Sequence, residues 1–177
     1  MKLSSVSRTF SPAITRMLLA SDGSTTLLLE ALTGGKLTVD VLCQGRASAR
    51  DFPPEIPGSI GVGAESELLV RRSRLRTASG ESISKNLVVA RQGNHSPMLS
   101  LLSNTRAPLG RGLVSLGLSQ SRHIVATGED LWDDSSGSAE PCAYKAYVLV
   151  EQGDPLLYIH EKFNPMYVPL KEASCCS

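Results

Sequence analysis

Two strand–turn–strand units constrain this chain more than anything else in it. The first begins as Glu67-Leu-Leu-Val-Arg-Arg-Ser-Arg-Leu-Arg76, turns at Ser79-Gly80 and returns through 83–90, where Ile83 and Leu87–Val89 are apolar. The second runs through 144–151, turns at Gln152-Gly-Asp-Pro155 and returns as 156–163. Strand alternation puts Leu69, Arg71, Ser73 and Leu75 on one face of the first unit, and Ile159, Glu161 and Phe163 on one face of the second. One guanidinium and one carboxylate therefore point where their apolar neighbours point. A charge on a core face is costly unless it is paired or put to use. Two readings stand side by side: a small buried site for an acidic organic ligand, and a buried ion pair joining the two hairpins.

The elements around these hairpins follow a repeating order. Residues 12–20 read as a helix with Ser11 as N-cap and Pro12 at the first helical position, and Asp22-Gly23-Ser24 breaks it. Thr25–Leu32 reads as a second short helix, stopped by Gly34-Gly35, and Lys36–Leu42 as a strand. Residues 45–63, rich in Gly, Pro and Ser, read as a long loop, which in a compact domain is often functional. The pattern then recurs: Ser96-Pro97 echoes Ser11-Pro12, a helix at 109–118 echoes the one at 24–33, and Ser121–Ala126 echoes Lys36–Val41. The acidic stretch 128–142 reads as a loop. Helix, helix, strand, hairpin occurring twice implies an internal duplication. The expected architecture is α+β: an antiparallel sheet with helices on one face, forming a single domain over residues 1–177.

Composition narrows the functional classes. A chain of 177 residues with net charge +1 has a real core and no general attraction to nucleic acid or anionic membrane. Three Phe, four Tyr and one Trp give little material for a base-stacking surface. No apolar run reaches the length of a membrane-spanning helix, and the N-terminus lacks the apolar core of a signal peptide. Cys43, Cys142, Cys175 and Cys176 have neither metal-ligand nor easy disulfide spacing, so reduced thiols and a cytoplasmic location are expected, with no metal site.

Several motifs fail on inspection. Gly58-Ser-Ile-Gly-Val-Gly63 has the wrong spacing for a dinucleotide fingerprint and precedes a strand. No Gly-x-Ser-x-Gly elbow is present, and His95, His123 and His160 are isolated. Arg72, Arg74 and Arg76 form an outward stripe, read as a solvated face that discourages edge pairing. Between the repeats, Pro108 opens a helix in Asn104-Thr-Arg-Ala-Pro-Leu-Gly-Arg111, whose first N–H groups could receive a carboxylate or simply start a helix.

Taken together, the chain resembles the chorismate pyruvate-lyase family, in the shorter branch found in cyanobacteria, actinobacteria and archaea. The resemblance rests on Leu18-Leu-Ala-Ser-Asp-Gly-Ser-Thr-Thr26, Ile60-Gly-Val-Gly63, the arginine strand ending at Leu75, Ala107-Pro-Leu-Gly110 and Ile159-His-Glu-Lys-Phe163. Each piece is short, and their order and spacing carry the match. The family's Arg-x-x-x-Leu strand implies Arg71 as the residue holding a ring carboxylate, with Arg72 as the alternative if the register slips. Its Pro-Leu-Gly element implies Leu109 as a backbone partner of the same carboxylate, and its late glutamate implies Glu161. A ligand-lining position after the first helical break falls on Thr25, where some relatives carry Met or Leu. Tyr144-Lys-Ala-Tyr-Val-Leu149 stands where relatives carry a basic strand.

The resemblance implies conversion of chorismate, a dianion, to 4-hydroxybenzoate and pyruvate, by elimination without metal or redox cofactor. Arg71 is expected to anchor the ring carboxylate, and Glu161, its pKa raised by burial, to supply a proton to the departing enolpyruvyl ether. Arg71 and Glu161 should then sit a ring's length apart instead of bonding to each other. An enclosed pocket implies slow release and product inhibition. The alternatives are a non-catalytic aromatic-acid sensor of the same fold, or an enzyme giving another hydroxybenzoate isomer. Against the sensor, the first helix begins near residue 12, which leaves no room for a DNA-binding domain ahead of it. The expected partners are substrate and product alone, with a monomer or simple dimer, and quinone biosynthesis is one possible destination of the product.

Overall fold

The computed structural model describes residues 10–91, 102, 109, 112, 120–133 and 139–172. Six strands form one sheet: β1 (Thr38–Ser48), β2 (Glu67–Arg76), β3 (Ser82–Arg91), β4 (Gln120–Asp133), β5 (Ala139–Glu151) and β6 (Asp154–Phe163). Their order is β1-β2-β3-β6-β5-β4, with every neighbouring pair antiparallel. Strands β1–β3 form one meander and β4–β6 another, and the two meet back to back at the β3–β6 seam. Each meander contains one strand and one hairpin, the order that the sequence pattern predicts for its two repeats.

The helices are α1 (Ala13–Ala20), α2 (Thr25–Thr33) and the short α3 (Glu55–Ser59). Helix α2 is bounded as its sequence dictates: the Ser24 side chain accepts from the Leu27 N–H, and Gly34 closes it with φ 69°, in the left-handed region. Helix α1 begins one residue later than expected. Pro12, with ψ 130°, is itself the N-cap, and the Ser11 hydroxyl instead accepts from the Glu172 N–H. The hairpin turn between β5 and β6 has Gln152 at φ 52° and Gly153 at φ 91°, the positive pair that matches strand twist.

Two stretches read as loops are largely ordered. Strand β1 continues to Ser48, followed by a 3-10 turn at Ala49–Asp51 and then α3, so 45–63 is not a single loop. The acidic stretch 128–142 contributes the end of β4 and the start of β5, with only 134–138 outside the described residues. Strand β4 is one of the sheet's two edge strands, so much of it faces water and its acidic side chains need no apolar alternation. Trp132 nevertheless buries its side chain there. Of the helix expected over 109–118, Leu109 and Gly112 are described, both helical, and the remainder lies outside the described residues, as does Ser96-Pro97.

The core divides by face. On one face, α1 and α2 set Leu18, Leu19 and Leu29 against Leu75, Ile83, Ala143 and Phe163. Further along that face, Val88, Tyr147, Leu149, Leu157 and Ile159 gather with Leu102 and Leu109. On the opposite face, the 3-10 turn and α3 place Ala49, Phe52, Ile56 and Ile60 over Leu68, Val89, Val148 and Tyr158. No described helix is long and apolar enough to cross a membrane, and Cys43 and Cys142 are free thiols.

Candidate functional site

Between the two clusters on the α1/α2 face lies a small, largely enclosed cavity. Arg71, Ser73 and Leu75 of β2, Asn86 and Val88 of β3, and Ile159 and Glu161 of β6 form its floor. Tyr147 and Arg122 line it from β5 and β4, Thr25 and Thr26 from α2, and Leu109 lines it as well. Arg71, Leu109, Glu161 and Thr25, the four residues singled out in the sequence, therefore line one cavity.

The strand register decides between the two candidate arginines. Arg71 pairs with Val88 and is 2% exposed, whereas Arg72 pairs with Leu87 and projects from the other face. Arg71 donates from Nη1 to the Leu102 carbonyl at 3.4 Å. Burial lowers its pKa, a bias against the charged form that an anionic ligand would offset.

Glu161 lies two strands away, on β6, opposite Asn86 of β3 and Lys145 of β5. Its Oε1 accepts from the Tyr147 hydroxyl at 3.2 Å, while Oε2 is buried and has no hydrogen-bond partner among the described residues. Arg71 is thus not bonded to Glu161, and the cavity separates them. Burial raises the Glu161 pKa, and Lys145, Thr25, Tyr147 and Arg122 pull it back in part. The Tyr147 phenol is pushed well up, first by burial and then by the Glu161 charge.

Three side chains around Glu161 extend the site beyond the four singled out. Lys145 is fully buried, donating to the carbonyls of Leu18 at 3.0 Å and Ser21 at 3.1 Å, and burial lowers its pKa. Arg122 of β4 donates from Nη1 to the Asp22 carbonyl at 3.2 Å, and its Nε is buried without a partner among the described residues. Tyr147 is the third. Lys145 and Arg122 thus hold the α1–α2 turn from two different strands. The signal for all three was ordinary alternation: Ala143, Lys145, Tyr147 and Leu149 share a face of β5, and Arg122 shares one with Ile124.

Residues 19–170 match the family of Rv2949c-like chorismate pyruvate-lyases. The chain belongs to that family. No curated protein matches its sequence. Its fold is shared by solved structures of low sequence identity. A gene product from Staphylococcus aureus is 11% identical with a TM-score of 0.60, covering 87% of this chain and 96% of that one. The effector domain of PhnF from Mycobacterium smegmatis is 17% identical with a TM-score of 0.57, covering 80% and 88% respectively. The ligand-binding domain of a protein assigned to the GntR-family transcriptional regulators, from Bordetella bronchiseptica, is 17% identical with a TM-score of 0.50, covering 75% and 87%. At such identities these likenesses concern the fold alone. Family membership agrees with a small-molecule site in the cavity.

Proposed function

We propose that the chain is a chorismate lyase, releasing 4-hydroxybenzoate and pyruvate from chorismate. One observation carries the reading: a single cavity holds a buried guanidinium at one end and, two strands away, a buried carboxyl with a raised pKa. Family membership supplies the substrate. Arg71 takes the ring carboxylate as a charge-assisted, bidentate partner, and the Leu109 backbone N–H completes that end.

Chorismate carries its enolpyruvyl ether at ring C3 and a hydroxyl at C4. The C4 proton leaves, its bonding electrons form the new ring double bond, and the C3–O bond breaks. The ring becomes aromatic, which supplies the driving force, and the enolpyruvate released collapses to pyruvate. What the protein adds is position and a proton. Glu161, whose protonated form burial favours, gives a proton to the departing ether oxygen, and the C4 proton balances the loss. In the product complex Glu161 Oε2 accepts from the 4-hydroxyl. Thr25 forms part of the wall beside it. Release from so enclosed a site is slow, and product inhibition follows.

Purified protein incubated with chorismate should yield equal amounts of pyruvate and 4-hydroxybenzoate by chromatography, without added metal. Another hydroxybenzoate isomer would change the assigned product. A second reading, a sensor domain binding small aromatic acids, is favoured by the likeness in fold to effector and ligand-binding domains. It is the outcome if 4-hydroxybenzoate binds tightly and chorismate persists.

A further inference from the structure

Arg71 takes one carboxylate of a dianionic substrate, and the cavity contains a second arginine. We infer that Arg122 binds the carboxylate of the leaving enolpyruvyl group and makes the site selective for dianions over the monoanionic product. The inference rests on the lyase reading for the substrate's name, and on the cavity for its chemistry.

Arg122 comes from β4 and Arg71 from β2, four strand steps apart in the sheet, or about 19 Å between backbones at the usual spacing. Both side chains line the same cavity from opposite sides. Arg122 spends Nη1 on the Asp22 carbonyl, and its Nε is buried with nothing to donate to among the described residues. A buried donor left unpaired is costly, so an occupant that satisfies it is favoured. The Thr25 hydroxyl lines the same cavity beside Glu161 and Tyr147, lowering the pKa of each by hydrogen bonding. Thr25 is the first residue of α2, the positive end of that helix. An unsatisfied guanidinium N–H, a hydroxyl and a helix N-terminus therefore converge on one region, and the complement of that set is an anion.

The position of this region matters as much as its charge. Arg122 and Thr25 both act on Glu161, and Arg122 acts on Tyr147 as well. The second anion thus belongs beside the proposed proton donor, where the leaving group of the substrate lies, and away from Arg71. After elimination the ring keeps only the carboxylate at the Arg71 end. Arg122 loses its partner when pyruvate departs, which lets the enzyme hold substrate more firmly than product.

The test separates selectivity from turnover. Isothermal titration compares 3-(carboxymethoxy)-4-hydroxybenzoate, a dianion of the substrate's shape, with its carbamoylmethoxy counterpart, an isosteric monoanion, and with 4-hydroxybenzoate. The native chain should prefer the dianion by about ten- to a hundredfold, the value of a charge-assisted contact. Arg122→Gln should abolish that preference while leaving 4-hydroxybenzoate affinity within about twofold, and Arg122→Lys should restore part of it. With chorismate, Arg122→Gln should raise KM far more than it lowers kcat. Equal weakening of all three ligands, or no preference in the native chain, overturns the inference. If the native chain leaves chorismate unchanged, the lyase reading fails, and the titration still decides whether Arg122 selects dianions.

Discussion

The two faces of the sheet carry their charges in opposite ways. On the face away from the cavity, charges are spent at or near the surface. Arg74 bonds Asp40 at 2.7 Å, and Asp130 serves both Lys162 at 2.9 Å and His160 at 3.7 Å. On the cavity face Arg71, Lys145 and Glu161 are buried, and Glu161 keeps an oxygen unpaired among the described residues. The residue types are the same, and their accounting differs. Paired surface charges trade little free energy with solvent, whereas buried ones carry a desolvation cost that hydrogen bonds within the protein and a bound ligand offset.

The comparison is broken most sharply at Glu161. Glu161→Gln keeps the shape and loses the proton, so turnover of chorismate should fall by about 10²- to 10⁴-fold while circular dichroism and the melting profile keep their native form. Arg71→Ala should cost about 10²- to 10³-fold in kcat/KM and also abolish 4-hydroxybenzoate binding in a titration. Full activity in Arg71→Ala with loss in Arg72→Ala would reverse the assignment of faces.

The pH dependence has a defined sign. The folded state raises the Glu161 pKa, so it holds that proton more tightly than the unfolded chain does. Activity that needs the protonated carboxyl should decline as pH rises through this raised value. The Glu161 contribution to stability should be lost over the same window, from the ordinary carboxylate range upward. Urea titrations of Glu161→Gln across that range should lack the decline. Lys145 pulls the Glu161 pKa down, so Lys145→Met should move the activity limb to higher pH. It should also cost about 3 kcal/mol in urea unfolding, because the carbonyls of Leu18 and Ser21 lose their donor. The smallest effect belongs to the other face: Arg74→Ala should change stability by no more than about 1 kcal/mol and leave turnover untouched.

How much of this was legible in the sequence depended on periodicity. Arg71 and Glu161 stand out because each interrupts an apolar alternation inside a well-marked hairpin, and the structure puts both in the cavity. Lys145 and Arg122 obey the same rule, with Tyr147 and Ile124 on their respective faces, so alternation applied to every strand finds them. Strand β4 hides its end because one side of an edge strand faces water, and Glu129, Asp130 and Asp133 then read as loop. The ordered turn and helix within 45–63 hide for another reason. Prolines and glycines mark breaks, yet Pro57 and Ile60 are buried against the sheet through tertiary contacts that no local pattern announces. The repeat was legible as order, and its meeting at β3–β6 required the pairing itself.

That seam has a thermodynamic consequence. Arg71 belongs to the first meander and Glu161 to the second, so any molecule that spans them adds a tie between two halves of the sheet that pair along β3 and β6. Occupancy of the cavity is then coupled to global unfolding: a ligand at a hundred times its Kd adds about 2.7 kcal/mol to the unfolding free energy. The melting temperature of the whole chain becomes a gauge of what fills a single small cavity, and a panel of mono- and dicarboxylic aromatic acids can be ranked on it without knowing the reaction.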